Sequence, residues 1–265
     1  MEKVKEIWAK GEAYEPYVGR WSRLVAREFL RWLNAGPNGR WLDVGCGTGA
    51  LSQAILETAS PKEVTGVDPS EDFIAYAAIK IPAPQANFKT GNACRLPFER
   101  EIFDTVVSGL VLNFVPDIAK AAAEMSRVTK PGGTVAAYVW DYARQMQLMR
   151  HFWDAAVEHD SSAFELDEGK RFPICNPAAL SEVFQKTDLK GVETKAIDVP
   201  THFRDFDDFW QPFLGGQGPA PTYAMSLSEE KRTALRENIR ARLPIQPDGS
   251  IHLIARAWAI KGIRS

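Results

Sequence analysis

"LDVGCGTGALS", residues 42–52, places Gly45, Gly47 and Gly49 at alternate positions just after an apolar run that contains one acid, Asp43. The run predicts a strand and the glycines a tight turn. The apolar spacing of 49–58 predicts the helix that follows. So bare a turn is needed where backbone must take positive φ or approach a ligand closely.

The same alternation continues outward from this stretch. "RWLDVG" (40–45), "EVTGVD" (63–68), "ANFKTG" (86–91), "FDTVVSGL" (103–110) and "GTVAAYVWD" (133–141) read as strands, with helices at 49–58, 70–79 and 117–129 between them. "KPGG" (130–133) is expected to stop the last helix and turn the chain. The near-continuous apolar content of 103–110 and 134–140 marks strands covered on both faces, and helices between strands imply parallel pairing. The first half is therefore a doubly wound α/β sheet. Its ligand belongs outside the carboxyl ends of the strands, near the first one.

Beyond 141 the pattern loosens. Residues 148–173 suggest an inserted helix and loop, 176–187 a helix opened by Asn-Pro, and 191–199 a sixth strand. Residues 205–223, aromatic and then Gly/Pro-rich, are expected over the sheet. Residues 226–243 form a charged helix and 251–262 a seventh strand. Upstream, Trp21, Leu24, Val25, Phe29 and Trp32 share one helical face before "AGPNG" (35–39) breaks the chain.

The chain has 265 residues, 45% of them hydrophobic, 25% charged, and a formal net charge of −2. That balance gives no pull toward phosphate backbones or anionic lipid, so neither nucleic acid nor a membrane is expected as partner. Cys46, Cys94 and Cys175 are widely spaced and lack zinc or disulfide-framework spacing. No signal-peptide core and no run of about 18 apolar residues is present, so the expected location is cytoplasmic.

Two ligands suit the turn. Gly45, Gly47 and Ala50 satisfy the dinucleotide pattern G-x-G-x-x-G/A on paper, with Asp68 placed for a ribose. Asp43 argues for the other. An acid inside an apolar strand is costly unpaired, and beside a pyrophosphate it would repel. S-adenosylmethionine has no phosphate and carries an ammonium and a sulfonium, which reverses that sign. Asp68 as a plain helix cap before "PSEDF" stays open as the alternative.

Five ordered motifs across roughly 14–141 resemble class I S-adenosylmethionine-dependent methyltransferases, of the small-molecule group (methyltransferase type 11) that includes ubiquinone/menaquinone-biosynthesis enzymes. They are "LDVGCGTGALS", "GVDPSEDFIAYA" (66–77), "GNACRLPF" (91–98), "FDTVVSGLVLNFVPD" (103–117) and "SRVTKPGGTVAAYVW" (126–140). "YEPYVGRWSRLVAREFLRWL" (14–33) is similar to the helix that closes over the cofactor in that family. The resemblance implies a seven-stranded, mostly parallel Rossmann-like sheet over 40–265. An N-terminal helical cover would span 1–39, with insertions near 142–175 and 203–245.

The resemblance also implies roles. Asp43 would face the methionine ammonium, and the backbone of Gly45, Cys46 and Gly47 would approach the methionine part. Asp68 would accept both ribose hydroxyls, while Pro69 and Phe73 flank the adenine. Asn92 stands where the family usually has Asp, and its amide oxygen can still accept the adenine amino group. The Ala93 amide would meet an adenine ring nitrogen, and Ser108, Gly109 and Leu110 would line the methyl side. Arg20 could reach the cofactor carboxylate, although its neighbour Trp21 equally begins the helix's buried face.

The expected reaction is methyl transfer to a small, partly apolar acceptor, leaving S-adenosylhomocysteine. In-line displacement from a sulfonium needs positioning more than a base. Asp141, His151, His159, His202 and His252 are the candidate bases, and none stands out. Trp140, Phe152, Trp153, Phe203, Phe206, Trp210 and Phe213 could wall an acceptor pocket or simply form core. "NFVPD" (113–117) fails the Asn-Pro-Pro-Tyr pattern, so Asn113 is expected to cap a turn. A non-catalytic cofactor-binding protein and an NAD-dependent oxidoreductase are the alternatives.

Overall fold

Why the glycine turn lies at the carboxyl edge of the sheet's central strands follows from the strand order. A computed structural model describes residues 19–215 and 218–265. The strands are β1 (Arg40–Val44), β2 (Glu63–Asp68), β3 (Ala86–Thr90), β4 (Phe103–Gly109), β5 (Thr129–Trp140), β6 (Leu189–Phe203) and β7 (Ile251–Arg264). They form one sheet in the order β3-β2-β1-β4-β5-β7-β6. Pairings β1–β2, β1–β4, β2–β3 and β4–β5 are parallel, and β7 runs antiparallel to β5. The chain winds outward from β1 to β3, then returns to lay β4 on the other side of β1. That reversal makes the carboxyl ends of β1 and β4 the switch point.

Helices α1 (Arg20–Leu33), α2 (Ala50–Thr58), α3 (Glu71–Lys80), α4 (Ile118–Val128), α5 (Gln147–His159), α6 (Glu168–Arg171), α7 (Pro177–Gln185), α8 (Phe206–Trp210), α9 (Pro219–Ser226) and α10 (Glu229–Arg242) complete the chain. Several begin on side-chain caps placed by the sequence. Ser70 accepts from Phe73 N–H, Asp117 from Lys120 N–H and Asn176 from Ala179 N–H. The apolar face of α1 buries Val25, Phe29 and Leu33, and the Phe29 ring lies 4.6 Å from that of Tyr138 on β5. Tyr14, Tyr17 and the rest of the expected cover before residue 19 lie outside the described residues.

The seven-stranded, mostly parallel sheet is as expected, but one turn is not. β5 starts at Thr129, four residues before the expected 133. Phe103 pairs with Thr129 and Thr105 already with Thr134, so "KPGG" is a bulge inside the strand, with Gly132 at φ 76°. A Cβ on Gly133 would come 2.7 Å from the Asp104 carbonyl oxygen, which is why the bulge needs glycine there.

The described residues fall into two compact units. The larger holds 22–140, 174–197 and 257–265, the smaller 19–21, 141–173 and the described residues from 198 to 256. The smaller has its own aromatic core. Phe152 stacks on Phe213 at 4.5 Å and meets Tyr223 edge-on at 6.3 Å. Trp153 donates its indole N–H to the buried Glu168 carboxyl, which burial pushes up to about 8. Next to it, Arg150 grips Asp167 with two bonds, 3.2 and 2.7 Å. Among the described residues no helix is long and apolar enough to cross a membrane.

Candidate functional site

At the end of β1, Asp43 is buried among apolar side chains. Its Oδ2 accepts the Ser52 hydroxyl at 2.7 Å, in the first turn of α2. Its Oδ1 is buried and has no hydrogen-bond partner among the described residues. Burial dominates the Ser52 bonds and the nearby Asp68 charge adds to it, so the Asp43 carboxyl is pushed up to about 7. Cys46 is buried as well, and burial with the Asp43 and Asp68 charges pushes its thiol up, so it stays protonated.

The glycine turn is not a cradle of free amides. Gly45 and Cys46 both donate to the Val67 carbonyl, at 2.7 and 3.0 Å, Gly47 donates to Asp68 Oδ2 at 3.0 Å, and Gly49 to the Cys46 carbonyl at 2.8 Å. Those bonds clamp the turn to the end of β2. What the turn offers a ligand is close approach: a Cβ on Gly47 would meet nothing within 4 Å. Gly45 is required by the fold itself. At φ 77°, an added Cβ would sit 2.4 Å from Val111 Cγ1. Gly45→Ala is therefore expected to destabilise the protein by about 1–3 kcal/mol from the backbone alone. Adding Val111→Ala is expected to recover only the steric part, measurable by thermal unfolding of both variants.

Asp68 ends β2. Its Oδ1 accepts Ser70 N–H at 2.9 Å and its Oδ2 accepts Gly47 N–H. Ser70, not Asp68, caps α3. Each Asp68 oxygen keeps a lone pair for a further donor. Pro69 is exposed and Phe73 half-buried at the start of α3. After β3, Asn92 Oδ1 accepts Cys94 N–H at 2.8 Å, tightening the loop that carries Ala93 and leaving a second lone pair. At the end of β4, Ser108 donates its hydroxyl to the Val44 carbonyl at 2.8 Å, locking β4 to β1. A Cβ on Gly109 would strike Tyr138 Oη at 2.6 Å, and Leu110 holds a left-handed φ of 61° while donating to the Tyr138 carbonyl. Twelve of the thirteen expected cofactor residues thus belong to the larger unit, on the β1, β2 and β4 ends and the β3 loop. Ser52 and Val111, which shape the same site, were not foreseen. Ser52 alone had a visible signal, its polar hydroxyl within the apolar face of α2.

Arg20 belongs to the smaller unit. It pairs with Asp208 at 3.1 Å, between the Trp21 and Phe203 rings. Of the candidate bases, Asp141 is a turn residue whose carbonyl accepts from Arg144, Gln145 and Met146. His151 is half-buried and burial lowers its pKa, while His202 and His252 are exposed and meet edge-on at 4.6 Å. Asn113 caps nothing: it lies within the short turn 112–114, and its buried Nδ2 has no partner among the described residues. Phe152, Trp153, Phe203, Phe206, Trp210 and Phe213 are buried against one another and their neighbours as core.

Residues 42–137 match the family model described as "Methyltransferase domain". The chain is 40% identical over 113 residues to demethylmenaquinone methyltransferase of Bacillus cytotoxicus, covering 41% of this chain and 48% of that protein. To the enzyme of the same name from Geobacillus kaustophilus it is 37% identical over 143 residues, 50% of this chain and 60% of that one. It therefore spans about half the length of the curated relatives it matches. Over 96% of this chain and 56% of the other, it superposes with a TM-score of 0.59 and 18% identity on phosphoethanolamine N-methyltransferase 2 of Haemonchus contortus, solved with phosphomonomethylethanolamine and S-adenosylhomocysteine. Residues 42–137 thus resemble a methyltransferase domain, and they lie within a seven-stranded sheet whose fold is shared with that solved structure.

Proposed function

We propose that the chain transfers a methyl group from S-adenosylmethionine to a small-molecule acceptor by in-line displacement. One observation carries this most: a buried carboxyl with an unpartnered oxygen, Asp43, stands beside a glycine turn whose far side is held by a second carboxyl, Asp68. A ligand with an ammonium at one end and a ribose at the other satisfies both. A dinucleotide would bring phosphate to an acid already unstable as an anion.

The residues fit the cofactor. Asp43 Oδ1 would take the ammonium, the open side of Gly47 the methionine chain, Asp68 the ribose hydroxyls, and Asn92 with Ala93 the adenine edge. Bound there, the cofactor supplies a methyl group on a cationic sulfur. Ser108, Gly109 and Leu110 are fixed by the β1 and β5 backbones, so the wall they form is preorganised. No base is assigned, since positioning supplies most of the acceleration for an acceptor that arrives as a nucleophile.

The test is direct. Purified protein is titrated with S-adenosylhomocysteine and with NAD, then incubated with methyl-labelled S-adenosylmethionine and a panel of quinols, phenols, amines and carboxylic acids. The panel includes demethylmenaquinol, after the names of the curated relatives. Homocysteine-cofactor binding with label transfer supports the proposal, and tight NAD binding without it overturns it. Binding with no transfer across the panel would mark a cofactor-binding protein.

A further inference from the structure

Four buried polar atoms without partners among the described residues belong to the smaller unit. Arg20 uses Nη1 on Asp208, at 3.1 Å, and its Nε and Nη2 are buried with no hydrogen-bond partner among the described residues. Trp21 Nε1 and Thr201 Oγ1 are in the same state. Arg20 and Trp21 meet at the Phe203 ring, and Thr201 shares a strand face with Phe203. The Arg20 guanidinium carbon lies 4.3 Å from the Trp21 ring centroid and 4.8 Å from that of Phe203, and the two rings meet edge-on at 5.4 Å. Thr201 is two residues before Phe203 on the same buried face of β6, where buried and exposed residues alternate.

The chemistry of these atoms is one-sided. Arg20 and Trp21 offer three donor nitrogens and no acceptor, and the Thr201 hydroxyl is a fourth donor. Arg20 Nε with Nη2 is a planar fork that matches the two oxygens of a carboxylate. Asp208 does not quench it: Asp208 Oδ2 also accepts Arg204 N–H at 3.0 Å and faces the Arg204 guanidinium at 3.9 Å, so two cations share one anion. Around the fork the surfaces are aromatic, with Phe209 behind Phe203 at 5.2 Å. Leaving four such groups buried and unpaired is costly, so the arrangement is that of a site built for a ligand.

We infer that Arg20, Trp21 and Thr201 form a carboxylate-binding site, with Asp208 as its positioning residue, and that its ligand is an acceptor with an apolar or aromatic body and a carboxylate. This rests on the methyltransferase reading for the word acceptor, though not for the carboxylate. Every residue of the site belongs to the smaller unit, and the aromatic rings beside Arg20 suit an aryl or alkyl acid.

Calorimetry on the full chain, saturated with S-adenosylhomocysteine, separates the outcomes. The probes are benzoate, phenylacetate, 3-phenylpropionate and octanoate, each against its amide. Acids are expected to bind at least about tenfold more tightly than amides, a preference that Arg20→Gln removes and Arg20→Lys, which keeps charge without the fork, only partly restores. Thr201→Val, close to isosteric, is expected to weaken the acids roughly three- to tenfold, and it serves if Arg20→Gln does not fold. Equal affinity for acids and amides, or binding of neither, overturns the site while leaving cofactor binding intact. So does an Arg20→Gln variant that weakens S-adenosylhomocysteine but not 5′-methylthioadenosine, because the carboxylate would then be the cofactor's own.

Discussion

Asp68→Ala is expected to weaken S-adenosylhomocysteine binding by about 10- to 1000-fold, or roughly 1.4–4 kcal/mol. Two losses combine. The ribose hydroxyls lose a charged acceptor, and hydrogen bonds to charged groups contribute about 1.5–3 kcal/mol each. The Gly47 and Ser70 amides also lose the oxygens that hold the turn against β2. Asp68→Asn keeps one acceptor oxygen and no charge, so it is expected to fall between wild type and alanine. Calorimetric titration of folded variants checks this. An alanine variant that binds as well as wild type would mean that the ribose is held elsewhere.

The second large effect is a pH dependence set by Asp43. The folded-state pKa is about 7 against an ordinary 3.8. Between those values the folded protein keeps a proton that the unfolded chain has released. The Asp43 contribution to stability is therefore fully present below about pH 4, declines as pH rises, and levels off above about 7. The total is on the order of 4 kcal/mol for a shift of this size. Asp43→Asn is expected to flatten that decline and to unfold at higher temperature than wild type at pH 8. A cationic ligand reverses the preference, because it favours the carboxylate. Affinity for S-adenosylhomocysteine is expected to climb roughly tenfold per pH unit from 5 to 7, with about one proton released on binding. Titration in two buffers of different ionisation enthalpy counts that proton. A flat profile in wild type would show that Asp43 does not meet the ammonium.

The sheet was legible because its central strands carry near-continuous apolar runs, and "FDTVVSGL" reads as a strand covered on both faces. The acids and glycines were legible for the same reason, since an acid at the end of such a run is conspicuous. Local chemistry misled at "KPGG". Its proline and glycines would end a helix and turn the chain anywhere, and only the pairing of Phe103 with Thr129 makes them a bulge. Nor could the sequence show that the amides of Gly45, Cys46 and Gly47 are already bonded, because their acceptors, Val67 and Asp68, lie on another strand. The aromatic residues of 141–223 were visible as a class. Which rings meet is decided by a core drawn from separate stretches, and Phe152 with Phe213 shares no periodicity. Arg20 and Thr201 illustrate the same limit across 181 positions.

The place of β7 has a consequence for biosynthesis. Although it spans Ile251–Arg264, it lies between β5 and β6. Until those residues leave the ribosome, β5 presents a bare edge and β6 has no neighbour at all. The sheet is thus finished by threading a late strand into a gap rather than by adding one to a rim. Two open backbone edges persist through most of translation, a window for aggregation that a ribosome stall near codon 250 would lengthen.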